Sequence, residues 1–158
     1  MTNNEVMKSV RYTLEIKNRD VVEMIKAGGV ELSVLDVVGL FKNEEEEGFI
    51  ECPAEIIHAF LDGLILERRG PSEGPARKFS TATINNNMVL RKLRIAFDMK
   101  DTDMLVTMRS VGFKISKGEI SALFRAPSHK NYVECGDQFL RNFLKGLTRR
   151  YRPDEKAI

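Results

Sequence analysis

Residues 29–36 read Gly-Val-Glu-Leu-Ser-Val-Leu-Asp, and residues 112–119 read Gly-Phe-Lys-Ile-Ser-Lys-Gly-Glu. Each stretch predicts that one helix ends and another begins. A glycine adopts the left-handed conformation that closes a helix, and an apolar residue commonly packs back just after it. The serine precedes an acid by three residues, which is the spacing of a capping box at the start of a helix. The same pair of signals therefore occurs twice in the chain.

The match between the two stretches extends in both directions without a gap. Residues 3–69 align with residues 86–152, and 17 of these 67 pairs are identical. The identical pairs include Asn3/Asn86, Asn4/Asn87, Arg11/Arg94, Phe41/Phe124, Cys52/Cys135 and Gly63/Gly146. Most of the other pairs keep their apolar character. An ungapped match of this length indicates an internal duplication.

The spacing of apolar residues predicts about four helices in each repeat. The predicted spans are roughly 3–16, 20–28, 34–42 and 54–69, then 86–99, 103–111, 117–125 and 137–151. Asparagines are expected to cap the first helix of each repeat. We predict an all-α fold, a tandem duplication of a roughly four-helix module with the two repeats packed into one compact body.

Composition and charge divide the chain into four parts. Repeat 1 covers residues 1–70 and is acidic, and repeat 2 covers residues 85–152 and is basic. A segment rich in proline and glycine, residues 71–84, is expected to be a linker between them. Residues 153–158 are expected to form a C-terminal tail.

The same composition limits the compartment. A hydrophobic content of 42% with 30% charged residues is typical of globular proteins. No apolar run approaches the ~20 residues that span a bilayer, and the first seven residues lack the apolar segment of a secretion signal. Two cysteines do not form a disulfide scaffold and are expected to be thiols. We predict a cytoplasmic protein without a membrane partner.

Three stretches resemble the YehS-like family of small bacterial proteins. They are residues 125–141, which read Arg-Ala-Pro-Ser-His-Lys-Asn-Tyr-Val-Glu-Cys-Gly-Asp-Gln-Phe-Leu-Arg, residues 84–97, and the run Glu-Glu-Glu-Gly-Phe at 45–49. The resemblance covers nearly the whole chain. It implies a bacterial cytoplasmic protein with two tandem helical repeats. The family is one of unknown function, so the resemblance implies no catalytic residues.

Charge is the sharpest difference between the repeats. Residues 1–70 carry 8 basic and 14 acidic side chains, a net charge of −6, whereas residues 85–158 carry 15 and 8, a net charge of +7. The four glutamates at 44–47 align with Pro-Ser-His-Lys at 127–130. One interpretation is that repeat 2 meets an anionic partner. The other is that the charged faces are solvated and attract each other, within the chain or across a dimer.

The leading hypothesis is a non-enzymatic binding or regulatory module that uses the basic surface of repeat 2. The candidate binding residues are Arg125, His129, Lys130, Arg141, Lys145 and Arg149. The last three recur every four residues, so they share one helix face. The partner is expected to be an anionic macromolecule or another protein, and a homodimer through complementary charge is a further prediction.

Other hypotheses remain open at the level of sequence. Non-specific nucleic-acid association through repeat 2 would use the same basic residues, and an enzyme would place its site at an inter-repeat cleft. A helix-turn-helix that reads DNA would need Leu35 and Val38 to face inward. It is disfavoured because repeat 1 is acidic and carries Asp36 where DNA contacts would be required.

No catalytic residue, cofactor site or metal site is predicted. Cys52 lies six residues before His58, whereas His129 lies six residues before Cys135, so the two pairs are not equivalent and neither spacing is a metal-ligand motif. The cysteines are expected to be small buried apolar residues. Gly63 and Gly146 recur in the middle of the last helix of each repeat, which predicts a close approach of helix backbones there, between the repeats or across a dimer.

Overall fold

The computed structural model describes residues 1–71 and 81–154, and these residues form eight α-helices and no strand. The helices are α1 Asn3–Leu14, α2 Asn18–Ala27, α3 Val34–Leu40, α4 Ala54–Arg69, α5 Asn86–Ala96, α6 Asp101–Ser110, α7 Lys117–Leu123 and α8 Asp137–Tyr151. Each helix of the second repeat begins 83 residues after its counterpart in the first. The all-α fold and the tandem duplication predicted from the sequence are confirmed.

The chain divides into two units, Met1–Ile84 and Asn85–Ile158, each with one set of four helices. Most of the segment expected to be a linker, residues 72–80, lies outside the described residues, as does the end of the expected tail, residues 155–158. Within the described part of the chain, no helix combines the length and apolarity that crossing a membrane requires.

The turn that first indicated the duplication has the predicted geometry in both repeats. Gly29 and Gly112 have φ angles of +102° and +76°, which side chains with a Cβ rarely adopt. The Ser33 hydroxyl accepts from the Asp36 N–H at 3.1 Å, and the Asp36 carboxylate accepts from the Ser33 N–H at 3.0 Å. The same reciprocal pair starts α7. These contacts fix where the third helix of each repeat begins.

The first helices begin differently from each other. Thr2 caps α1, because its hydroxyl accepts from the Glu5 N–H at 3.1 Å. Asn85 caps α5 by accepting from the Met88 N–H at 2.9 Å. The expectation of an asparagine cap is therefore confirmed for repeat 2 and wrong for repeat 1.

The paired asparagines instead tie the long loop of each repeat to its first helix. The Asn4 side chain donates to the carbonyls of Leu40 and Ile50, both at 2.9 Å, and accepts from the Cys52 N–H at 2.8 Å. Asn87 makes the same three bonds to the aligned residues at 3.0, 2.9 and 2.8 Å. This network holds the backbone that leads from the third helix into the fourth.

The second and fourth helices of each repeat approach closely at a glycine. A Cβ on Gly63 would lie 1.9 Å from the Met24 carbonyl oxygen, and a Cβ on Gly146 would lie 2.7 Å from the Thr107 carbonyl oxygen. Both distances are too short for real contacts. The close approach of helix backbones predicted at these glycines is confirmed. The expectation that it lies between the repeats or across a dimer is wrong, because its partner is the second helix of the same repeat.

The start of α3 differs from its prediction. Val37 and Leu40 are fully buried and define the inward face of the helix, whereas Leu35 is 78% exposed. Two residues along a helix turn the side chain by about 200°, so Leu35 points away from the face that Val37 buries. The prediction that Leu35 faces inward is wrong, and the DNA-reading arrangement loses one of its packing contacts.

Candidate binding site

An open groove of about 530 Å³ lies on repeat 2, between α7, the start of α8 and the loop that joins them. Phe113 and Phe139 line the groove and make an edge-to-face contact at 5.5 Å between ring centroids. The remaining apolar lining comes from Ile115, Ala122, Leu123, Tyr132 and Val133. Val133 is 50% exposed, so apolar surface is available to a ligand.

The groove exists because small residues line α7. Gly118 and Ala122 lie four residues apart and therefore share the face that borders the groove. A Cβ on Gly118 would have no neighbour closer than the Ser116 hydroxyl at 3.9 Å, so the space beside it is open. A bulky side chain at this position would project into the groove.

The aligned surface of repeat 1 is built differently. Leu35 occupies the position of Gly118, and Gly39 occupies the position of Ala122. A Cβ on Gly39 would lie 2.7 Å from the Ile50 side chain and 2.8 Å from the Gly48 carbonyl oxygen. The loop packs on the third helix in both repeats, since the Ile50 N–H donates to the Gly39 carbonyl oxygen at 3.0 Å and the aligned Val133 N–H donates to the Ala122 carbonyl oxygen at 3.1 Å, so the difference lies in the side chains. In repeat 2, Ala122 takes the position of Gly39, and Val133 takes the position of Ile50, whose side chain is longer.

Charged side chains surround the apolar lining. Arg125 and Lys130 line the groove together with Glu119 and Glu134. The Glu119 carboxylate accepts from the Ser116 N–H at 3.3 Å, so it is engaged in capping α7. An adjoining cavity of about 590 Å³ shares Ile115 and Glu119 with the groove and adds two more basic residues, Arg109 and Lys114. Basic side chains thus outnumber acidic ones around the combined surface.

The candidate residues predicted from sequence lie in two places. Arg125 and Lys130 line the groove. His129 is exposed in the same loop, where its Nδ1 accepts from the Asn131 N–H at 3.0 Å, so the ring helps to shape the loop. The other three candidates lie on α8.

The α8 candidates face away from the groove. Arg141 follows Phe139 by two residues and so points about 200° away from it around the helix. Arg141 is exposed and Lys145 is partly exposed, on the face opposite the buried residues Phe143, Leu144 and Leu147. Arg149 donates to the Ser110 carbonyl oxygen at the end of α6, where a positive charge is favourable. The six residues therefore do not form one site.

Sequence reasoning missed the apolar half of the groove. Phe113, Tyr132 and Phe139 line it but were not selected, because aromatic residues at helical spacing usually belong to a core. A signal was present in the alignment of the repeats. Phe113 and Phe139 replace Val30 and Ile56, while Gly118 replaces Leu35. Relative to repeat 1, two apolar side chains are larger and a third is missing, which indicates that this surface of repeat 2 has been remodelled.

Both cysteines and one of the two histidines are buried. Cys52 and Cys135 are buried free thiols, and burial raises the pKa of each to about 12. Nε2 of the buried His58 lies 2.8 Å from the Thr83 carbonyl oxygen. Among residues 1–71 and 81–154, no group of three or more metal-ligating side chains occurs. The expectation that the cysteines are packing residues is confirmed.

The fold and the groove define a class of protein: a duplicated all-helical protein in which one repeat carries an open apolar groove with basic residues around it. The chain belongs to the family described as "protein of unknown function (DUF1456)", which matches residues 3–70 and again residues 86–152. It is similar to uncharacterized protein YehS of Escherichia coli (strain K12), with 45% identity over 150 residues, or 95% of this chain and 96% of that protein. The resemblance seen in the sequence is confirmed. No solved structure matches the chain significantly.

Proposed function

We propose that the chain is a non-enzymatic binding module whose repeat 2 groove holds a segment of a protein partner. An apolar side chain of the partner enters between Phe113, Phe139 and Gly118, and acidic residues beside it meet Arg125 and Lys130. The observation that carries this proposal is the combination of open apolar space with basic side chains in one groove. Its volume lies within the range of ligand-binding clefts.

The chemistry of the groove favours a peptide over a small metabolite. Its apolar lining gives a side chain a place to lose water, which contributes about 1.5–3 kcal/mol for a leucine-sized group. The charged side chains at the edge of the groove contribute less to affinity and more to partner specificity and to the association rate. We place this binding in the bacterial cytoplasm, because both cysteines are free thiols, as in a reducing compartment.

Fluorescence anisotropy with defined peptides tests the proposal. The probe is a labelled dodecapeptide with one central leucine between acidic residues, and the comparison peptides replace the leucine by serine or the acids by lysines. We expect the first peptide to bind most tightly. The Arg125→Glu/Lys130→Glu double variant should weaken its binding about tenfold or more.

The matched control is Lys17→Glu/Lys26→Glu, which reverses two exposed lysines of repeat 1 and changes the net charge by the same amount. This control should bind the acidic leucine peptide like the wild type. Equal binding of all three peptides, or no binding at millimolar protein, would refute the proposal.

A second function is favoured by the α8 face. Arg141 and Lys145 lie on the solvent side of that helix, where a nucleic-acid backbone has access. Association of this kind is independent of sequence, and its affinity falls steeply as salt is raised because counterions are released. Titration of a labelled 20-nucleotide DNA strand at 25 to 200 mM salt tests it.

The two functions use different residues, so variants separate them. The Arg141→Glu/Lys145→Glu variant should lose DNA binding and keep peptide binding. The Arg125→Glu/Lys130→Glu variant should lose peptide binding and keep DNA binding. DNA binding that does not respond to salt, or none at 25 mM salt, would exclude the second function.

A further inference from the structure

Repeat 1 carries an apolar projection at the position where repeat 2 has its groove. Val34 and Leu35, at the start of α3, are 52% and 78% exposed, and together we call them the α3 knob. The aligned residues in repeat 2 are Lys117 and Gly118. Single exposed apolar residues are common on protein surfaces. Here two lie side by side, and the aligned surface of the other repeat lacks both.

Several acidic residues lie close to the knob along the chain. Glu31 and Asp36 lie within four residues of Leu35 along the chain. Leu35 and Gly39 share a face of α3, one turn apart, and Gly39 lies against the loop at Gly48 and Ile50. The exposed glutamates 44–47 immediately precede that contact. The knob therefore belongs to a part of repeat 1 that is rich in acidic residues.

The acidic loop is held in a defined shape. Lys42 donates through Nζ to the Glu47 carbonyl oxygen at 2.8 Å, and the Glu46 carboxylate accepts from the Asn43 N–H at 3.0 Å. These bonds hold the loop backbone and the Glu46 carboxylate in place. The loop would therefore lose little conformational entropy when it binds a partner surface with basic residues at matching places.

The groove of repeat 2 has the complementary features at the aligned positions. Gly118 leaves open space where Leu35 projects, Lys114 replaces Glu31, and Lys130 replaces Glu47. The two surfaces descend from one ancestral repeat. One carries an apolar projection near acids, and the other carries an apolar groove where, together with the adjoining cavity, four basic residues outnumber Glu119 and Glu134. Shape and charge are thus complementary on the two halves of one chain.

We propose that the partner held in the groove is a second copy of this chain, with Leu35 of one copy entering beside Gly118 of the other. This inference rests on the proposed function and names its partner. The glutamates around the knob then face Lys114, Arg125 and Lys130. Such a contact joins repeat 1 of one copy to repeat 2 of the next, so the association is head-to-tail.

Sedimentation velocity over a range of protein concentrations tests the inference. The wild type should self-associate, and raising salt from 50 to 500 mM should weaken the association because exposed charges are screened. Leu35→Ser should weaken it about tenfold or more, since it removes the apolar group that enters the groove. Val106→Ser is the matched control, because Val106 is 58% exposed in repeat 2 outside the knob and groove.

A mixing experiment gives the sharpest result. Leu35→Ser loses the knob but keeps the groove, and Arg125→Glu/Lys130→Glu loses the basic side chains of the groove but keeps the knob. At a protein concentration near the dissociation constant of the wild type, each variant alone should be mostly monomeric. The mixture should form a one-to-one complex, because one intact knob and one intact groove remain between the two proteins. Failure of the mixture to associate would overturn the inference.

The peptide experiment distinguishes this failure from failure of the proposed function. A wild type that stays monomeric but binds the acidic leucine peptide in its groove would overturn the second copy as partner and leave the binding module intact. A wild type that shows neither would overturn both. Self-association that is unchanged by Leu35→Ser would also overturn the inference, because another surface would then be responsible.

Discussion

At the scale of single residues, the positions that are identical in the two repeats hold the scaffold. Arg11 lies 4.3 Å from the ring centroid of Phe41, and the aligned Arg94 lies 4.6 Å from that of Phe124. Each pair places a guanidinium over the aromatic residue that ends the third helix. The asparagine network recurs in the same way. Selection has therefore kept these side chains in both copies for reasons of structure.

The network around Asn4 gives a stability prediction. Asn4→Ala should lower the free energy of unfolding by about 2–3 kcal/mol, because it leaves two carbonyls and the Cys52 N–H without partners. Asn87→Ala should cost less, since Asn87 is partly exposed and water can replace its bonds. Urea denaturation measures both values. The exposed Asn43→Ala is the control, and a cost equal to that of Asn4→Ala would contradict the argument.

The buried thiols give a prediction about pH. Burial raises the pKa of Cys52 and Cys135 to about 12 in the folded chain, whereas the unfolded value is about 9. A raised pKa means that the folded state holds the proton more tightly, so this contribution is full below pH 9 and is lost as pH rises from 9 toward 12. We expect the urea midpoint to fall between pH 9 and 11, and to fall less in Cys52→Ala/Cys135→Ala. An identical decline in both proteins would assign it to other groups.

Residue types with a local role were predictable from the sequence, and those with a distant partner were not. Ser33 and Gly29 act on backbone within a few residues, so their pattern alone indicated the turn. Asn4 binds backbone 36 to 48 residues away. No local pattern reveals such a partner, which is why an asparagine at a helix start was interpreted as a cap.

At the scale of helices, the crossing of the second and fourth helices limits what each repeat tolerates. Gly63→Ala should be strongly destabilising, by more than about 3 kcal/mol, because the new methyl group meets the backbone carbonyl of Met24, which cannot move aside alone. Gly146→Ala should cost less, since its contacts include the Thr107 methyl group, which can shift.

Gly118→Ala is the matched control for these substitutions. Gly118 is the second residue of α7 and has open space around it, so alanine should stabilise the chain slightly, by less than about 1 kcal/mol. The midpoints of thermal unfolding of the three variants give the order of their stabilities. If Gly63→Ala unfolds like the wild type, the close approach of α2 and α4 is not tight.

Helix position was predicted well where apolar spacing was long and capping was clear. The last helix of each repeat was placed within one residue, because its buried stripe runs over four turns. Prediction of which way α3 faces failed at Leu35, since a helix of seven residues has too few apolar positions to define one face. The groove was not predictable for a related reason. It forms where Gly118, Phe113 and Phe139 meet, and these residues come from three separate elements.

At the scale of the whole chain, two repeats of opposite charge share one scaffold. The loop of repeat 2 was predicted to bind from its charge, and the structure places two of its basic residues on a groove. The α8 face was predicted by the same reasoning but lies on another side of the repeat. Charge therefore indicated which repeat carries the groove. It did not indicate which residues act together, because that depends on how helices turn their side chains.

The divided charge predicts unusual behaviour in ion exchange. A protein with a formal net charge of +2 should bind a cation exchanger weakly and pass through an anion exchanger. Here residues 1–70 carry −6 and residues 85–158 carry +7, so at pH 7 and low salt we expect retention on both resins. Lys114→Glu/Lys130→Glu should elute earlier from the cation exchanger and later from the anion exchanger.

Elution should be compared below the concentration at which the chain self-associates, because a head-to-tail contact would cover charges of both signs. Passage of the monomer through the anion exchanger would mean that the acidic surface of repeat 1 is already neutralised, and the glutamates around Leu35 would then be unable to attract a basic groove.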